Sequence, residues 1–192
     1  MIKLKLIVGS TRPNRFSEKV LPWLVRELDK KNGFEVEVLD LREYELPFFD
    51  QPVSPSTVEG GNYGGEAARK WAEEVGDADA YLIITPEYNR STSAVLKNAL
   101  DTVYAEWNKK TVGFVAYGSV GGARAVEQLR LMAIELQMVP VRTAVHIPEP
   151  WFLLDEQGNL KEGVLEKYNQ TLETLLEQLL WYAEALKVAR EK

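Results

Sequence analysis

The feature that most constrains the fold is a pair of almost uninterrupted apolar runs, AYLIIT at residues 80–85 and TVGFVAY at residues 111–117. Such runs are typical of strands buried on both faces, which occur mainly in parallel sheets covered by helices. Helical patterns separate these runs from each other and from other strand-like stretches. Because parallel strands need crossover connections, we predict an alternating α/β protein.

Residues 3–9, 34–39 and 140–147 complete a set of five predicted strands. A helix is predicted after the first strand, because five apolar residues there share one face: Val20, Leu21, Leu24, Val25 and Leu28. Further helices are predicted over 65–76, 92–104, 122–137 and about 161–188. This pattern suits a flavodoxin-like three-layer sandwich, a five-stranded parallel sheet of order 2-1-3-4-5 with helices on both faces. The 192 residues are predicted to form a single domain that ends in the long C-terminal helix.

Composition argues against several classes of function. With 23 basic and 29 acidic residues, the net charge of −6 is opposite to what nucleic acid or an anionic membrane attracts. The absence of cysteine excludes disulfides, thiolate metal sites and cysteine nucleophiles, and it fits a reducing cytoplasm. No stretch approaches the ~18 apolar residues of a spanning helix. We expect a cytoplasmic protein with no metal site and no nucleic-acid or membrane partner.

Ligands of such sheets bind beyond the carboxyl ends of the strands. This rule confines the search for a site to residues 9–17, 41–65, 85–92, 117–123 and 147–152.

The loop after the first strand, GSTRPNRFS at residues 9–17, combines hydroxyls and two arginines at the start of a helix. Backbone N–H groups and the helix dipole favour an anion there. The loop lacks both G-x-G-x-x-G and G-K-[ST], so it favours a terminal monophosphate over a pyrophosphate or triphosphate. The alternative is that Ser17 or Asn14 caps the helix and that Arg12 and Arg15 are solvated.

Two further loops follow the buried strands. In TPEYNRS, residues 85–91, Pro86 restrains the turn, and backbone amides and Asn89 are available to a planar polar ligand. In YGSVGGAR, residues 117–124, the glycines allow close approach of a ligand, and Tyr117 can stack on or border a ring. Each loop alone could be an ordinary turn. Three such loops at successive strand ends favour one shared site.

The sequences GSTR at 9–12, PEYN at 86–89 and YGSVGGAR at 117–124 together resemble the NADPH-dependent FMN reductase family, over roughly residues 2–148. That family includes flavin, quinone, azo-dye and chromate reductases of flavodoxin-like fold. The resemblance implies that FMN passes a hydride from NADPH or NADH through its N5 to an acceptor such as a quinone, free flavin, azo compound or oxidised metal. The chemistry would lie on the flavin, with no catalytic protein residue.

The resemblance also implies which residues bind FMN. Those expected around the phosphate are Ser10, Arg12 and Ser17, with backbone help around Phe16; Arg15 is added from the loop's own composition. Those expected around the isoalloxazine ring are Pro86, Glu87, Tyr88, Asn89, Tyr117, Gly118, Ser119 and Gly122. The segment RFSE at residues 15–18 departs from the family's commoner G-S-x-R-x-x-S-x-N spacing, which leaves the third phosphate ligand open. Glu87 is expected to bind through its backbone, with its carboxylate toward solvent. His146, the only histidine, is predicted to be structural.

Family members are commonly homodimers or homotetramers, and the resemblance implies the same here. Helix 92–104, followed by Tyr104 and Trp107, is the predicted subunit contact. The sequence LPFFD at residues 46–50 in the irregular segment 42–65 could cover the flavin, build a subunit contact, or insert its phenylalanines into the core. The C-terminal helix is expected to pack on the sheet.

Two other functions are compatible with the pattern. One is a flavodoxin-type one-electron carrier, against which Arg12 and Arg15 count, because such carriers usually bind phosphate with hydroxyls and glycines. The other is a flavin-free interaction protein that keeps the fold alone.

Overall fold

In the computed structural model, which describes residues 1–192, the chain is built on one parallel sheet. Its strands are β1 (Ile2–Val8), β2 (Phe34–Asp40), β3 (Ala80–Pro86), β4 (Thr111–Gly118), β5 (Val139–Pro140) and β6 (Val145–Pro148). The order is β2-β1-β3-β4-β5, and β6 also pairs with β4. The predicted order is therefore confirmed.

The last predicted strand, 140–147, is wrong in one respect, because it is divided into β5 and β6. Both pieces pair with β4, and residues 141–144 between them leave the strand. The N–H of Thr143 donates to Gln178 Oε1 at 3.0 Å, a side chain of the C-terminal helix, rather than to the sheet. The sheet therefore has six strands, of which the fifth and sixth are short.

Helices cover both faces of the sheet, as predicted. They are α1 (Ser17–Asp29), α2 (Glu66–Gly76), α3 (Ala94–Thr102), α4 (Ala123–Glu135) and α5 (Asn169–Arg190). Helices α1 and α5 pack on one face, and α2, α3 and α4 pack on the other. None of these helices combines the length and the apolar character needed to cross a membrane.

The C-terminal helix begins at Asn169, not near residue 161 as predicted. Gly163 has a left-handed backbone with φ of +68°, and a short 3-10 turn, Glu166–Tyr168, precedes the helix. These turns prevent the helical pattern from extending back to residue 161. The helix packs on the sheet as expected, with Leu172, Leu175, Leu176, Leu179 and Ala183 buried.

Strand β3 is buried along its whole length, as its apolar run predicts. Leu82 and Ile84 face α1 and α5, whereas Tyr81 and Ile83 face the other helical layer. Such a strand needs helices on both sides of the sheet, because its apolar side chains would otherwise be exposed to water.

The structure corrects the prediction for one aromatic residue and excludes one of the alternatives for two others. Trp107, predicted at a subunit contact, is fully buried, and its ring lies 4.7 Å from that of Tyr81. Phe48 is 76% exposed and Phe49 is 38% exposed, so these phenylalanines do not insert into the core. Instead, Asn98 on α3 holds their loop by accepting from the N–H of Phe49 at 3.0 Å and donating to the carbonyl of Pro47 at 2.9 Å.

We expect Leu175→Ala to lower the free energy of unfolding by about 3 kcal/mol, because it removes a buried side chain and leaves a cavity between α5 and the sheet. Gly113 of β4 allows this helix to approach closely, since a Cβ there would lie 3.0 Å from Leu175 Cδ2. Urea denaturation measures the effect. In the control Leu131→Ala, where the side chain is 64% exposed, the change should stay within about 0.5 kcal/mol. Equal losses in both variants would contradict the packing described.

Candidate functional site

The carboxyl ends of β1, β3, β4 and β6 surround one cleft of about 380 Å³. Its lining comes from four segments and comprises Arg12, Arg15, Phe16, Pro86, Glu87, Tyr88, Tyr117, Gly118, Ser119, Pro150 and Trp151. The structure thus brings together the three loops that the sequence singles out. Pro150 and Trp151 are not among the predicted site residues. The one sequence signal for them is their position after the last strand, in the segment 147–152.

Four predicted site residues do not line the cleft: Ser10, Ser17, Asn89 and Gly122. Ser10 and Ser17 are buried in the first loop, and Asn89 is exposed at the tip of a turn. Gly122 precedes α4 with φ of +71°, where a Cβ would lie 2.5 Å from Ala116 Cβ. Its absent side chain therefore allows α4 to begin directly against β4.

Arg15 is held in an ion pair within the protein. Its side chain is 3% exposed. Its Nη1 donates to Asp40 Oδ1 at 2.7 Å, and its Nη2 contacts Asp40 Oδ2. It also donates to the carbonyl of Ser10. The predicted solvated alternative for Arg15 is therefore wrong, because this guanidinium connects the first loop to the end of β2.

Asp40 is ionised more readily than usual because of this pairing. Burial opposes ionisation, but the hydrogen bonds from Arg15 and from the N–H of Arg42 outweigh it, so the pKa of Asp40 lies below its usual 3.8.

The first loop keeps buried polar atoms that make no hydrogen bond. They are Ser10 Oγ, Ser17 Oγ and Arg15 Nε, of which Arg15 Nε still lies 3.5 Å from Glu18 Oε1. The backbone N–H groups of residues 10–12 and 14–16 likewise donate to no acceptor in the protein. A buried donor without a partner costs about 1–3 kcal/mol, so several of them in one loop indicate a place for a ligand rich in acceptor oxygens. A phosphate monoester has that chemistry, and the start of α1 adds a favourable dipole.

Arg12 is the exposed cation of this loop and lines the cleft. Unlike that of Arg15, its guanidinium has no carboxylate within ion-pair distance; Arg42 binds its backbone carbonyl. Arg12 therefore remains available for an anion.

The second loop turns back tightly at Tyr88–Ser91. The N–H of Tyr88 donates to the carbonyl of Ser91 at 2.8 Å, and Ser91 returns a bond of 3.0 Å. Asn89 and Arg90 between them are left-handed, with φ of 50° and 68°. The expectation that the amides after Pro86 are free holds only in part, because the N–H of Glu87 donates to the carbonyl of Tyr117 at 2.9 Å.

The Glu87 carboxylate does not face solvent, contrary to expectation, since its side chain is 3% exposed. It accepts from Arg124 Nε at 2.5 Å and from the backbone N–H of Arg124 at 3.1 Å. Arg124 lies in the first turn of α4, where the helix dipole also favours a negative charge. This ion pair joins the second loop to the third.

Tyr117 and Phe16 form the aromatic floor between the first and third loops. Their ring centroids are 5.2 Å apart and the planes are inclined by 58°. Burial raises the pKa of Tyr117, and the neighbouring Ser17 and Ser10 oppose this rise only in part, so its phenol stays protonated. His146 lies behind this region, with Nδ1 3.0 Å from the carbonyl of Gly121, which fits its predicted structural role.

Comparison with known proteins agrees with this geometry. The profile of the family described as NADPH-dependent FMN reductase matches residues 2–151. An NAD(P)H-dependent FMN reductase of Schizosaccharomyces pombe, C4B3.06c, is 32% identical over 149 residues, which cover 76% of this chain and 74% of the relative. A 2-hydroxy-1,4-benzoquinone reductase of a Burkholderia species is 29% identical over 178 residues, 88% of this chain and 91% of the relative.

Among solved structures, the flavoenzyme NAD(P)H:(acceptor) oxidoreductase FerB of Paracoccus denitrificans superposes with a TM-score of 0.73. It shares 21% identity over 96% of this chain and 98% of its own. This likeness confirms the flavodoxin-like fold. Fold and site together define a flavodoxin-like protein whose strand ends form a ligand cleft. The chain belongs to the NADPH-dependent FMN reductase family.

We expect Asp40→Asn to lower the free energy of unfolding by roughly 3 kcal/mol at neutral pH, because it leaves Arg15 buried without its partner. The folded pKa of Asp40 is depressed, so the ion pair contributes above the usual 3.8 and is lost as the pH falls through the folded value. The difference in the free energy of unfolding between wild type and Asp40→Asn should therefore become smaller in acid. Urea denaturation at a series of pH values measures it.

The matched control for this prediction is Asp101→Asn, which removes an exposed pair with Lys97. It should change the free energy of unfolding by less than about 1 kcal/mol. If the destabilisation by Asp40→Asn stays constant into strong acid, the proposed contribution of the Arg15–Asp40 ion pair is wrong.

We expect Glu87 and Arg124 to be energetically coupled. Arg124→Met leaves a carboxylate buried alone and should destabilise more than Glu87→Gln. The double variant should recover part of the loss, with a coupling free energy of about 1–3 kcal/mol. A double-mutant cycle by urea denaturation measures it, and additive losses would count against the pair.

Proposed function

We propose that this protein is an FMN-dependent NAD(P)H oxidoreductase that reduces a small acceptor such as a quinone. The observation that carries the proposal is the convergence of three loops on one cleft, with unpaired buried donors in the first loop. Enzymes of this chemistry leave the electron transfer to the cofactor, while the protein binds and orients it.

The first loop has the donors for the FMN phosphate. Ser10 and Ser17 supply hydroxyls that make no hydrogen bond, Arg12 supplies an unpaired cation, and the N–H groups of residues 10–12 and 14–16 supply further donors. Arg15 positions this loop through Asp40, and its Nε lies 3.5 Å from Glu18 Oε1. Phosphate bound here would be held by preorganised groups.

The second and third loops are proposed to hold the ring. Pro86, Glu87 and Tyr88 of the second loop and Tyr117, Gly118 and Ser119 of the third loop line the cleft side by side, at the ends of two paired strands. Asn89 adds an amide at the turn, and Gly122 shapes the third loop from behind. These residues bind and orient; none needs to take or give a proton.

When FMN is bound, it supplies hydride transfer between the nicotinamide and the acceptor. With a quinone the overall reaction takes NAD(P)H, the quinone and one proton to NAD(P)⁺ and the hydroquinone. The protein residues exclude water from the cleft floor, which Phe16 and Tyr117 form.

We further propose that the protein works in the cytoplasm, where NAD(P)H is available, as a homodimer or homotetramer. Exposed apolar side chains at Phe48 on the long loop and at Leu131 and Ile134 on α4 support an oligomer. Sedimentation analysis tests this assembly.

The first experiment is to load the purified protein with FMN, remove free flavin, and record the visible spectrum before and after anaerobic NADPH, and separately NADH. We expect a retained flavin band that either nucleotide bleaches rapidly, and that a quinone restores. A retained band that neither nucleotide alters would favour the flavodoxin-type carrier. No retained flavin and no oxidation of NAD(P)H with added FMN would overturn the proposal.

The phosphate site has a sharper test. We expect Ser10→Ala and Ser17→Ala each to weaken FMN binding by roughly tenfold or more, because each removes a hydrogen bond to a charged group. Riboflavin lacks the phosphate, so its affinity should change much less, and the ratio of the two dissociation constants isolates the effect. Thr174→Ala, on the exposed side of α5, is the control. Equal loss of FMN and riboflavin binding would place the phosphate elsewhere.

A further inference from the structure

The cleft has a fourth wall, formed by Pro150 and Trp151, that the proposed flavin contacts do not use. This wall follows β6 and is joined to the third loop, since the N–H of Glu149 donates to the carbonyl of Gly118 at 2.9 Å. Glu149 has a left-handed backbone with φ of 45°, which is uncommon for a residue other than glycine. The chain therefore turns sharply here and directs the next residues to the cleft.

The segment that carries Trp151 is well connected. Pro150 is buried. The N–H of Lys161 donates to the carbonyl of Leu153 at 2.9 Å, and Lys161 Nζ donates to the carbonyl of Phe152 at 3.1 Å. These bonds fix the backbone, so the indole projects from an ordered support and not from a free loop.

Trp151 nevertheless stays 51% exposed. It belongs to neither buried core cluster, whereas its neighbours Leu153 and Leu154 pack against the core on the α1 and α5 side. Its close aromatic neighbour is Phe152, itself 65% exposed, at a centroid distance of 6.1 Å. A large apolar ring at the edge of a ligand cleft, held by fixed backbone but not used in the core, is typical of ligand contact.

The charged residues that line the cleft also bear on the ligand. Glu87 is neutralised by Arg124, and Arg15 is neutralised by Asp40. Arg12 is assigned above to the phosphate. The part of the cleft beside Trp151 therefore suits an uncharged planar molecule better than a strongly anionic one.

Resting on the proposed function, we propose that Trp151 determines acceptor specificity, by covering a planar aromatic acceptor such as a quinone with its indole ring. Tyr88 lines the same cleft and supplies a second aromatic surface. Trp151 takes no part in the transfer of the electrons or the proton; it favours acceptors that offer an aromatic face.

The test compares two acceptors in the FMN-loaded enzyme at saturating NADPH: 1,4-naphthoquinone, which is planar and uncharged, and ferricyanide, which is anionic and not aromatic. We expect Trp151→Ala to lower kcat/KM for the quinone about 3- to 10-fold relative to ferricyanide, the range of a lost aromatic contact. Trp151→Phe should retain most of the preference. Because NADPH and FMN are common to both assays, the ratio of the two values isolates the acceptor.

The matched control is Trp181→Ala, which removes an indole that is 65% exposed on α5, outside the cleft. It should leave the ratio of kcat/KM for naphthoquinone to kcat/KM for ferricyanide unchanged. A second readout needs no turnover: without NADPH, naphthoquinone should quench tryptophan fluorescence in wild type and in Trp181→Phe, but much less in Trp151→Phe.

The outcomes separate the two proposals. If wild type retains FMN and oxidises NADPH, but Trp151→Ala keeps the wild-type ratio of quinone to ferricyanide, the role of Trp151 is wrong and the proposed function stands. If wild type neither retains FMN nor oxidises NAD(P)H, both proposals fail.

Discussion

The parallel pairing of β3 with β4 is the constraint on which the cleft depends. Its register places Pro86 opposite Tyr117, and the N–H of Glu87 extends the pairing by donating to the carbonyl of Tyr117 at 2.9 Å. On the other side of β3, the N–H of Gly9 donates to the carbonyl of Ile84 at 2.8 Å. Three loops therefore start at one edge of the sheet. A slip of one residue would turn the side chains that line the cleft to the opposite face.

Two ion pairs then hold these loops in place. Arg15 binds Asp40 at the end of β2, and Glu87 binds Arg124 at the start of α4. Because these charged groups satisfy each other, they are positioning groups, and the donors still without partners are the hydroxyls and amides of the first loop. Donors already oriented before a ligand arrives need little reorganisation to bind an anion. The ion pairs therefore keep the loops ordered, and the unpaired donors leave the cleft able to bind an anion.

Much of this architecture is predictable from sequence, and the exceptions have physical causes. Strands β3 and β4 are predictable because a continuous apolar run has few alternatives to a strand covered on both faces. The start of α5 and the break between β5 and β6 are not predictable in this way, because they depend on the turn at Gly163 and on a bond to the side chain of Gln178. Trp107 resembles a surface aromatic in the sequence, yet it is fully buried, since its partner Tyr81 lies on a strand far away along the chain.

Local pattern is sufficient for the α/β class and the three loops at the strand ends, because periodicity and glycine or proline positions act over a few residues. The strand order instead follows from matching the number of predicted strands to a known parallel arrangement. Which groups in those loops are free was decided only by folding. Arg12 and Arg15 are equivalent in the sequence, but Asp40 approaches only Arg15. The Glu87 carboxylate turns inward because α4 brings Arg124 to it. Such choices depend on distances between residues far apart in the chain, and only the packed structure sets those distances.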